Sequence, residues 1–417
     1  MLLDKDIYIK KMIFYWALTI PLTGLKVFGI AVSNIFIFFL LILFIYKGKY
    51  IINKKSCILF FWLISILFTS IVNVGEIPTD YLSVSVSMFF KLCIIFVLIS
   101  LAMSYDTKMV TNEFLKGIYY CGFIQAFWIL LELFFWYGLN IPLNEVLFGE
   151  ILNIDNDITW LRVKDGLFRP SGIGWDSAFA GMSLLISFFL SKKLSCKIFL
   201  FICIILSTSR HVLIGLLIVK ILDYIILEKN KLKIRKKSIL FVSILLLLGI
   251  IFLGIIFNLY SEVIIKMSDR LLGILGLLVE MDMADSSSIR HFSYYPEMLM
   301  IFDKSNFLQC LFGWGTFVAG YPYSQIVGIY NYIMGAWTPE SDFVTLFIGN
   351  GIIGGIIYYY IIFNVLKNTK KYNRRYFKVV LSILVCGFMY IFLRSVWPLE
   401  IVIILFLLGD NKDYKRE

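Results

Sequence analysis

An arginine followed by a histidine occurs twice in this sequence, once inside a strongly apolar stretch and once in an amphipathic one. Arg210 and His211 stand side by side in CIILSTSRHVLIGLLIVKIL, and Arg290 and His291 stand side by side in SSSIRHFSYYPEMLMIF. A guanidinium keeps its charge at any physiological pH, and its planar donors can hold phosphate or carboxylate through two hydrogen bonds. These arginines are therefore candidates for an anion-binding site that apolar helices must hold in place.

The composition identifies the elements that carry these residues. The chain has 417 residues, of which 60% are hydrophobic and 16% are charged. Soluble globular chains average about 45–50% apolar and about 25% charged residues. Long runs such as IFIFFLLILFI indicate a polytopic membrane protein. The first apolar run is followed by no signal-peptidase site, so we interpret it as a retained helix.

About 20 residues are needed for a helix to cross the hydrocarbon core. This measure predicts an all-α membrane protein with about 12 transmembrane helices and a large extracytoplasmic loop before the tenth. Residues 1–417 are expected to form one integral membrane domain. The predicted spans are residues 12–28, 30–46, 57–74, 84–103, 114–137, 172–190, 197–209, 211–227, 238–258, 342–366, 378–393 and 397–408.

The distribution of positive charge predicts the orientation of these spans. Lys and Arg favour cytoplasmic loops, and one alternating set of loops, with both termini, holds 27 of the 39 cations. We therefore expect both termini in the cytoplasm. The net charge of +11 is accounted for by this topology and by anionic inner-leaflet lipid, so it requires no nucleic acid as a partner.

The run around Arg210 lies between two basic loops and is too long for one span. An even number of crossings must separate loops on the same side of the membrane. The simplest prediction is a helical hairpin whose tip, residues 207–211, faces the outside. Arg210 would then lie at or just below the outer surface.

Arginine is unusually frequent on the predicted outer side. The inner loops carry 23 Lys and 4 Arg, whereas the outer set carries 4 Lys and 6 Arg. Positive-inside topology does not require this inversion, and an anion site would explain it. Salt bridges and headgroup contacts are the alternative for any single arginine. The six outer arginines are Arg162, Arg169, Arg210, Arg270, Arg290 and Arg394.

Two predicted outer segments are large, residues 138–171 and 259–341. In the second, the spacing after Ser288 predicts a helix near the membrane interface, capped by one of three serines, with Tyr294, Tyr295 and Met298 on one face. The stretch GWGTFVAGYPY that follows is typical of a turn-rich loop. Its aromatic residues could stack on carbohydrate or anchor the interface.

Some chemical motifs have simpler structural explanations. The GNGIIG run at 349–354 fits G-x-G-x-x-G, but no strand precedes it, so close packing through small residues is the better interpretation. The D-x-D pair of Asp155 and Asp157 falls in an outer loop and is better interpreted as a solvated turn. Glu132 lies within a span, where a carboxylate usually indicates function or pairing.

Four segments together resemble the O-antigen polymerase and ligase superfamily, in particular the Wzy-type polysaccharide polymerases. They are LFRPSGIGWDSAFAGM, STSRHVLIGL, the pair IRHFSYYPEML and LFGWG, and ESDFVTLFIGNGIIGGI. The resemblance covers roughly residues 160–366. The first third of the chain matches only as hydrophobic helices.

The resemblance implies a GT-C-like glycosyltransferase that works by inverting, metal-independent transfer at the outer face of the bacterial inner membrane. The donor would be an oligosaccharide on undecaprenyl pyrophosphate, and the product O-antigen or capsular polysaccharide. No cofactor is implied. The implied partners are this lipid-linked oligosaccharide, membrane lipid, a chain-length regulator and a flippase.

The resemblance also assigns roles to residues. We expect Arg210 and Arg290 to hold the pyrophosphate, with Arg169 as a third contact, because negative charge grows on the leaving group. Glu340 is the leading candidate for the base, and Asp342 is the alternative; related ligases carry a histidine there. Further candidate substrate contacts are Arg162, Arg394, His211, His291 and Asp342. The two histidines are better explained as polar residues at helix ends near water than as support for the site or a reserve base.

Other functions remain open at this stage. A ligase would transfer the same donor to another acceptor, such as lipid A core. A lipid-linked oligosaccharide flippase would typically show internal repeats and a polar path between helices, and the two halves of the sequence show no repeat. A passive scaffold would not require the arginine inversion.

Overall fold

The computed structural model of the chain describes residues 2–22, 25–27, 30–47, 54–152, 163–164, 167–174, 176–228, 286–327, 339 and 341–409. The predicted span 238–258 lies outside these residues. So do Arg162, Glu340, the D-x-D pair and much of the predicted outer loop 259–341.

The described part of the chain is helical. Its α-helices are α1 (Leu2–Thr19), α2 (Val32–Lys47), α3 (Lys54–Val72), α4 (Thr79–Tyr105), α5 (Thr107–Leu139), α6 (Ser177–Leu190), α7 (Leu194–Leu206), α8 (Arg210–Glu228), α9 (Ser286–Lys304), α10 (Phe307–Phe312), α11 (Asp342–Tyr372), α12 (Arg374–Met389) and α13 (Trp397–Leu408). Shorter helical pieces are the π-helices Glu145–Ile151 and Tyr323–Val327, the turn Gly320–Pro322 and the 3₁₀-helix Leu393–Ser395.

Two short antiparallel hairpins complete the secondary structure. In the first, β1 (Lys26–Val27) pairs with β2 (Ile30–Ala31). In the second, β3 (Val163–Lys164) pairs with β4 (Leu167–Phe168), with Val163 opposite Phe168. The second hairpin ends at the residue before Arg169 and therefore leads directly into a predicted site segment.

Four helices, α3, α4, α5 and α11, are long and apolar enough to cross a membrane. Four shorter helices, α2, α6, α7 and α13, are also apolar. Exposed side chains on these helices include Phe38, Phe60 and Phe127, which a lipid environment accommodates and water does not. The helices therefore indicate a multi-pass membrane protein, as the composition predicted.

Most helix limits agree with the predicted spans, and two differ for visible reasons. The span predicted at 12–28 ends early, because α1 stops at Thr19, just before Pro21, and a hairpin follows. The span predicted at 172–190 begins late, because Asp176 caps a helix that starts at Ser177. Before it the chain turns at Gly172, whose φ is +63°.

The chain folds into two compact units. The first unit comprises residues 1–17, 33–117 and 285–417; the second comprises residues 18–32 and 118–284. The predicted site residues Arg290, Asp342 and Arg394 fall in the first unit, whereas Arg169 and Arg210 fall in the second.

In the first unit, α11 is interrupted at Gly351, where φ is +64° and ψ is −172°. The LFGWG loop packs backbone to backbone against this break, with Trp314 N donating to Ile348 O and Gly315 N to Gly349 O, each at 2.9 Å. A Cβ on Gly351 would collide with Leu311 O. The glycines of the GNG run thus permit close packing, as predicted, but the partner is a loop backbone.

The predicted amphipathic helix is α9, which begins at Ser286. Tyr294 is buried in a cluster with Val344 and Ile348 of α11, and Tyr295 and Met298 pack against the same cluster. The shared face predicted for these three residues is therefore confirmed. Its placement at a membrane interface stays a prediction.

Candidate functional site

The clearest candidate site in the second unit surrounds the first turns of α6. Asp176 caps this helix, and its Oδ1 accepts a hydrogen bond from Ala178 N at 3.1 Å. The same oxygen accepts from the Ser177 hydroxyl at 3.0 Å. This is the expected role of an aspartate at a helix start, and it fixes where α6 begins relative to the preceding turn.

Arg169 reaches the same helix start from the β3–β4 hairpin. Its Nη2 donates to the Ser177 hydroxyl at 3.1 Å. Its Nε is buried and has no hydrogen-bond partner among the described residues. The hairpin itself is anchored on α5, because Phe168 stacks on Trp136 with ring centroids 4.9 Å apart. A guanidinium is therefore held beside α6 with donor capacity to spare.

The turn between α7 and α8 packs against α6 one turn further on. A Cβ added at Gly181 would lie 3.3 Å from Ser207 Oγ and 3.4 Å from Ser209 Cβ. A side chain at this position would require these neighbours to move by a few tenths of an ångström, so glycine favours the close approach of the turn. Two helices joined by a short turn at STSRH are therefore present as predicted, and the turn contacts the helix whose start holds Arg169. The placement of this turn at the outer face stays a prediction.

The tip of this hairpin carries buried hydroxyls without partners. Thr208 and Ser209 are 8% and 1% exposed, and neither hydroxyl has a hydrogen-bond partner among the described residues. Thr208 also adopts φ = +54°, an uncommon conformation for a β-branched residue that costs free energy. Buried hydroxyls are normally hydrogen-bonded, so two adjacent exceptions make this turn a candidate for contact with a ligand.

Arg210 follows Ser209 directly and is the first residue of α8. Its side chain and that of His211 are half-buried, and both make contacts within the protein. The second unit thus places Arg169 and Arg210 on two segments that pack on the same first turns of α6. The guanidinium groups of Arg169 and Arg210 are thus both carried by segments that pack here, and such groups suit an anion.

A buried polar network lies directly behind the Arg169 segment. Glu132 on α5 is 2% exposed. Its Oε2 accepts from Gly172 N at 2.7 Å, and its Oε1 accepts from Asn144 Nδ2 at 2.8 Å and Ser171 N at 3.3 Å. This intramembrane carboxylate is therefore bound by a side-chain amide and by backbone N–H groups.

Sequence reasoning missed the other members of this network. Gln125 Oε1 accepts from Ile173 N at 2.8 Å, and its Nε2 donates to Ile173 O at 3.3 Å. Asn144 Oδ1 accepts from Trp128 Nε1 at 2.7 Å. The spacing of Gln125 and Glu132, seven residues apart on one helix, is the available signal, because two helical turns place both on one face.

In the first unit, the predicted residues gather around the start of α11. Asp342 is buried, and its Oδ1 accepts from Leu393 N at 2.8 Å, so the segment before α13 is tied to this helix next to Arg394. Arg290 and His291 lie on α9, one turn before Tyr294, which packs on α11. The side chains of Arg290, His291 and Arg394 lie outside the described residues.

The structure therefore sorts the predicted site into two groups. Arg169, Arg210 and His211 belong to the second unit, and Arg290, His291, Asp342 and Arg394 to the first. Arg162 and Glu340 are outside the described part of the chain. The carboxylate of Asp342 accepts from backbone, whereas Arg169 Nε has no hydrogen-bond partner among the described residues.

Comparison of the chain with known protein families gives no match, and comparison with curated proteins gives none either.

Proposed function

We propose that this protein is a membrane glycosyltransferase that joins lipid-linked oligosaccharide repeat units into a polysaccharide. In this proposal about 12 spans cross the bacterial inner membrane, both termini are cytoplasmic, and the fold is GT-C-like. The donor is an oligosaccharide on undecaprenyl pyrophosphate, and a second lipid-linked unit is the acceptor.

One observation carries the proposal. The Nε of Arg169 and the hydroxyls of Thr208 and Ser209 are buried donors without partners among the described residues. They lie on two segments packed on the first turns of α6, the second of which continues into Arg210. A diphosphate offers many acceptor oxygens and a compact negative charge, so it would satisfy such donors together.

The chemistry assigned to this site is leaving-group stabilisation. As the bond between the sugar and the pyrophosphate breaks, negative charge accumulates on the pyrophosphate oxygens. Fixed donors and guanidinium groups favour that charge without reorganising. Arg169 and Arg210 would therefore act mainly on the rate of transfer. The proton of the attacking hydroxyl goes to a base, for which Glu340 remains our candidate.

The proposal is tested by reconstituting the purified protein in proteoliposomes with an undecaprenyl-pyrophosphate-linked repeat unit. The wild-type protein should lengthen the glycan without other proteins. Arg169→Ala and Arg210→Ala should each lower the rate by about 10²–10³-fold, as removal of a transition-state donor typically does. Arg374→Ala is the control, because Arg374 is exposed at the start of α12.

Other outcomes of the same experiment would overturn the proposal. Unchanged chain length with movement of the substrate between leaflets would make the protein a transporter. Transfer only to a different acceptor, such as lipid A core, would make it a ligase. Full polymer synthesis by both arginine variants would show that the pyrophosphate is held elsewhere.

A further inference from the structure

We infer that Glu132 is a positioning residue for the anion site: its carboxylate holds the turn at residues 171–173 and thereby fixes where Arg169 points. The inference rests on the proposed function, because it concerns the same anion site. Glu132 lies on α5, a helix that the resemblance did not include.

The Glu132 carboxylate holds the turn by accepting hydrogen bonds from two of its backbone N–H groups; we call this contact the clamp. Gly172 N donates to Oε2 at 2.7 Å, and Ser171 N donates to Oε1 at 3.3 Å. Hydrogen bonds to an ionised acceptor are stronger than neutral ones, and this acceptor is 2% exposed. The turn therefore has one strongly favoured position on α5.

Two neighbouring amides reinforce the clamp. Asn144 Nδ2 donates to Glu132 Oε1 at 2.8 Å and to Gly172 O at 3.1 Å, so it bridges the carboxylate and the turn. The side chain of Gln125 accepts a hydrogen bond from Ile173 N and donates one to Ile173 O. Three side chains thus bind three consecutive residues of a segment without regular secondary structure.

This segment connects directly to the anion site. Arg169 is two residues before Ser171, and Asp176, which caps α6, follows shortly after. Arg169 donates to Ser177 at the start of the same helix. A shift of the turn would therefore move the guanidinium relative to α6 and to the hydroxyls of the α7–α8 turn.

Glu132 is not itself suited to take a proton from a substrate. Its carboxylate is 2% exposed, and three donors of the protein bind its two oxygens within 3.3 Å. A general base must lie within hydrogen-bond reach of the substrate hydroxyl, and a carboxylate buried to this extent does not. The carboxylate therefore acts through the turn and not on the reacting atoms.

The test compares Glu132→Gln with the wild-type full-length protein in nanodiscs. A glutamine amide group would place its own donor against the N–H of Gly172 or Ser171, and it removes the charge. We expect faster hydrogen exchange at the amides of residues 171–173 and no change in α7. We also expect about tenfold weaker binding of inorganic pyrophosphate, the effect of losing one well-aligned charge-assisted contact.

Glu145→Gln is the matched control, because Glu145 is an exposed carboxylate in the same unit. It should change neither measurement. Unchanged exchange at 171–173 in Glu132→Gln would overturn the clamp, and faster exchange with unchanged pyrophosphate affinity would overturn the positioning role. Failure of the wild-type protein to bind pyrophosphate would instead overturn the proposed function, and the positioning role with it.

Discussion

Two regions of this protein bury polar groups among apolar helices, and they do so differently. At the break in α11, two carbonyl groups of the helix, of Ile348 and Gly349, accept hydrogen bonds from Trp314 N and Gly315 N of the LFGWG loop. At the start of α6, Arg169 Nε and the hydroxyls of Thr208 and Ser209 have no partners among the described residues. Each region also contains a glycine with positive φ, Gly351 and Gly172 respectively.

The presence or absence of hydrogen-bond partners distinguishes polar groups that support the fold from polar groups that are candidates for function. Non-helical backbone within a membrane is tolerated where other protein groups satisfy it, and the break in α11 meets that condition. Buried donors left unpaired cost free energy, and in the α6 region three of them lie on two segments that pack on one helix. The α6 region is therefore the better candidate for ligand binding, and substitutions in the two regions should have opposite consequences.

The largest effect is expected for Gly351→Ala, at the break in α11. With φ at +64° and ψ at −172°, this residue occupies a region that is essentially restricted to glycine. An added Cβ would also meet Leu311 O and Gly313 N, which are backbone atoms that cannot rotate away. We expect the free energy of unfolding to fall by about 4 kcal/mol. A lower unfolding temperature of the variant in detergent would show this loss.

Gly138→Ala is the control for this substitution. Gly138 lies in α5, and the nearest side-chain atom to an added Cβ is 3.8 Å away. Replacing a helical glycine by alanine at an open position should be neutral or stabilising by up to about 1 kcal/mol. Equal unfolding temperatures for the Gly351 and Gly138 variants would show that the break is not rigidly packed.

Removing a hydroxyl is expected to change the free energy of unfolding by a smaller amount, and differently in the two regions. Thr316→Val removes the group that donates to Asn350 Oδ1 in the α11 region, so a buried acceptor loses its partner. Ser209→Ala removes a buried hydroxyl that has no partner among the described residues. We expect Thr316→Val to lose about 2 kcal/mol and Ser209→Ala to lose nothing or to gain up to about 1 kcal/mol.

The binding measurement should reverse this order. Ser209→Ala should bind inorganic pyrophosphate several-fold more weakly, about 1 kcal/mol, whereas folded Thr316→Val should bind as the wild-type protein does. Titration of both purified variants checks this directly. A Ser209→Ala protein that is destabilised and binds normally would place the hydroxyl among structural groups and remove the contrast between the regions.

The helices were largely predictable, because apolar length determines where a helix crosses lipid. The last span was predicted at residues 397–408, and α13 runs from Trp397 to Leu408. The turn between α7 and α8 was predictable because a basic loop lies on each side of it. The break at Gly351 was not predicted, because a glycine-rich apolar run is equally compatible with packing in a straight helix.

The site was predictable only as a set of residue types. Arg169 and Arg210 stood out as cations in an apolar context, and the structure packs their segments on one helix. Asn144 gave no such signal, and Gln125 gave only its spacing from Glu132, because an amide side chain acquires its role from a backbone partner far away in sequence. Ile173, for example, is 48 residues from Gln125. Pairing of this kind depends on tertiary contacts and not on local pattern.

Arg169→Lys tests whether the α6 region uses the shape of the guanidinium as well as its charge. Lysine keeps the positive charge but offers a single ammonium, so it cannot reproduce the planar fork that donates both to Ser177 and to a ligand. We expect about a tenfold lower rate of polymer synthesis, equivalent to about 1.4 kcal/mol, with unchanged unfolding temperature. A wild-type rate would show that charge alone is sufficient there.

The smallest effect is expected for Asp176→Ala, which removes the cap of α6. The cap bond to Ala178 N would be lost, at a cost of about 1 kcal/mol. Removing this carboxylate also makes the α6 region more positive, so pyrophosphate should bind slightly more tightly even though the helix is less stable. Asp176→Asn separates the two effects, because its side-chain oxygen still caps the helix while the charge is gone. If the Asn variant binds pyrophosphate no better than the wild-type protein, the carboxylate does not act on the anion site, and the positive potential there comes from the arginines alone.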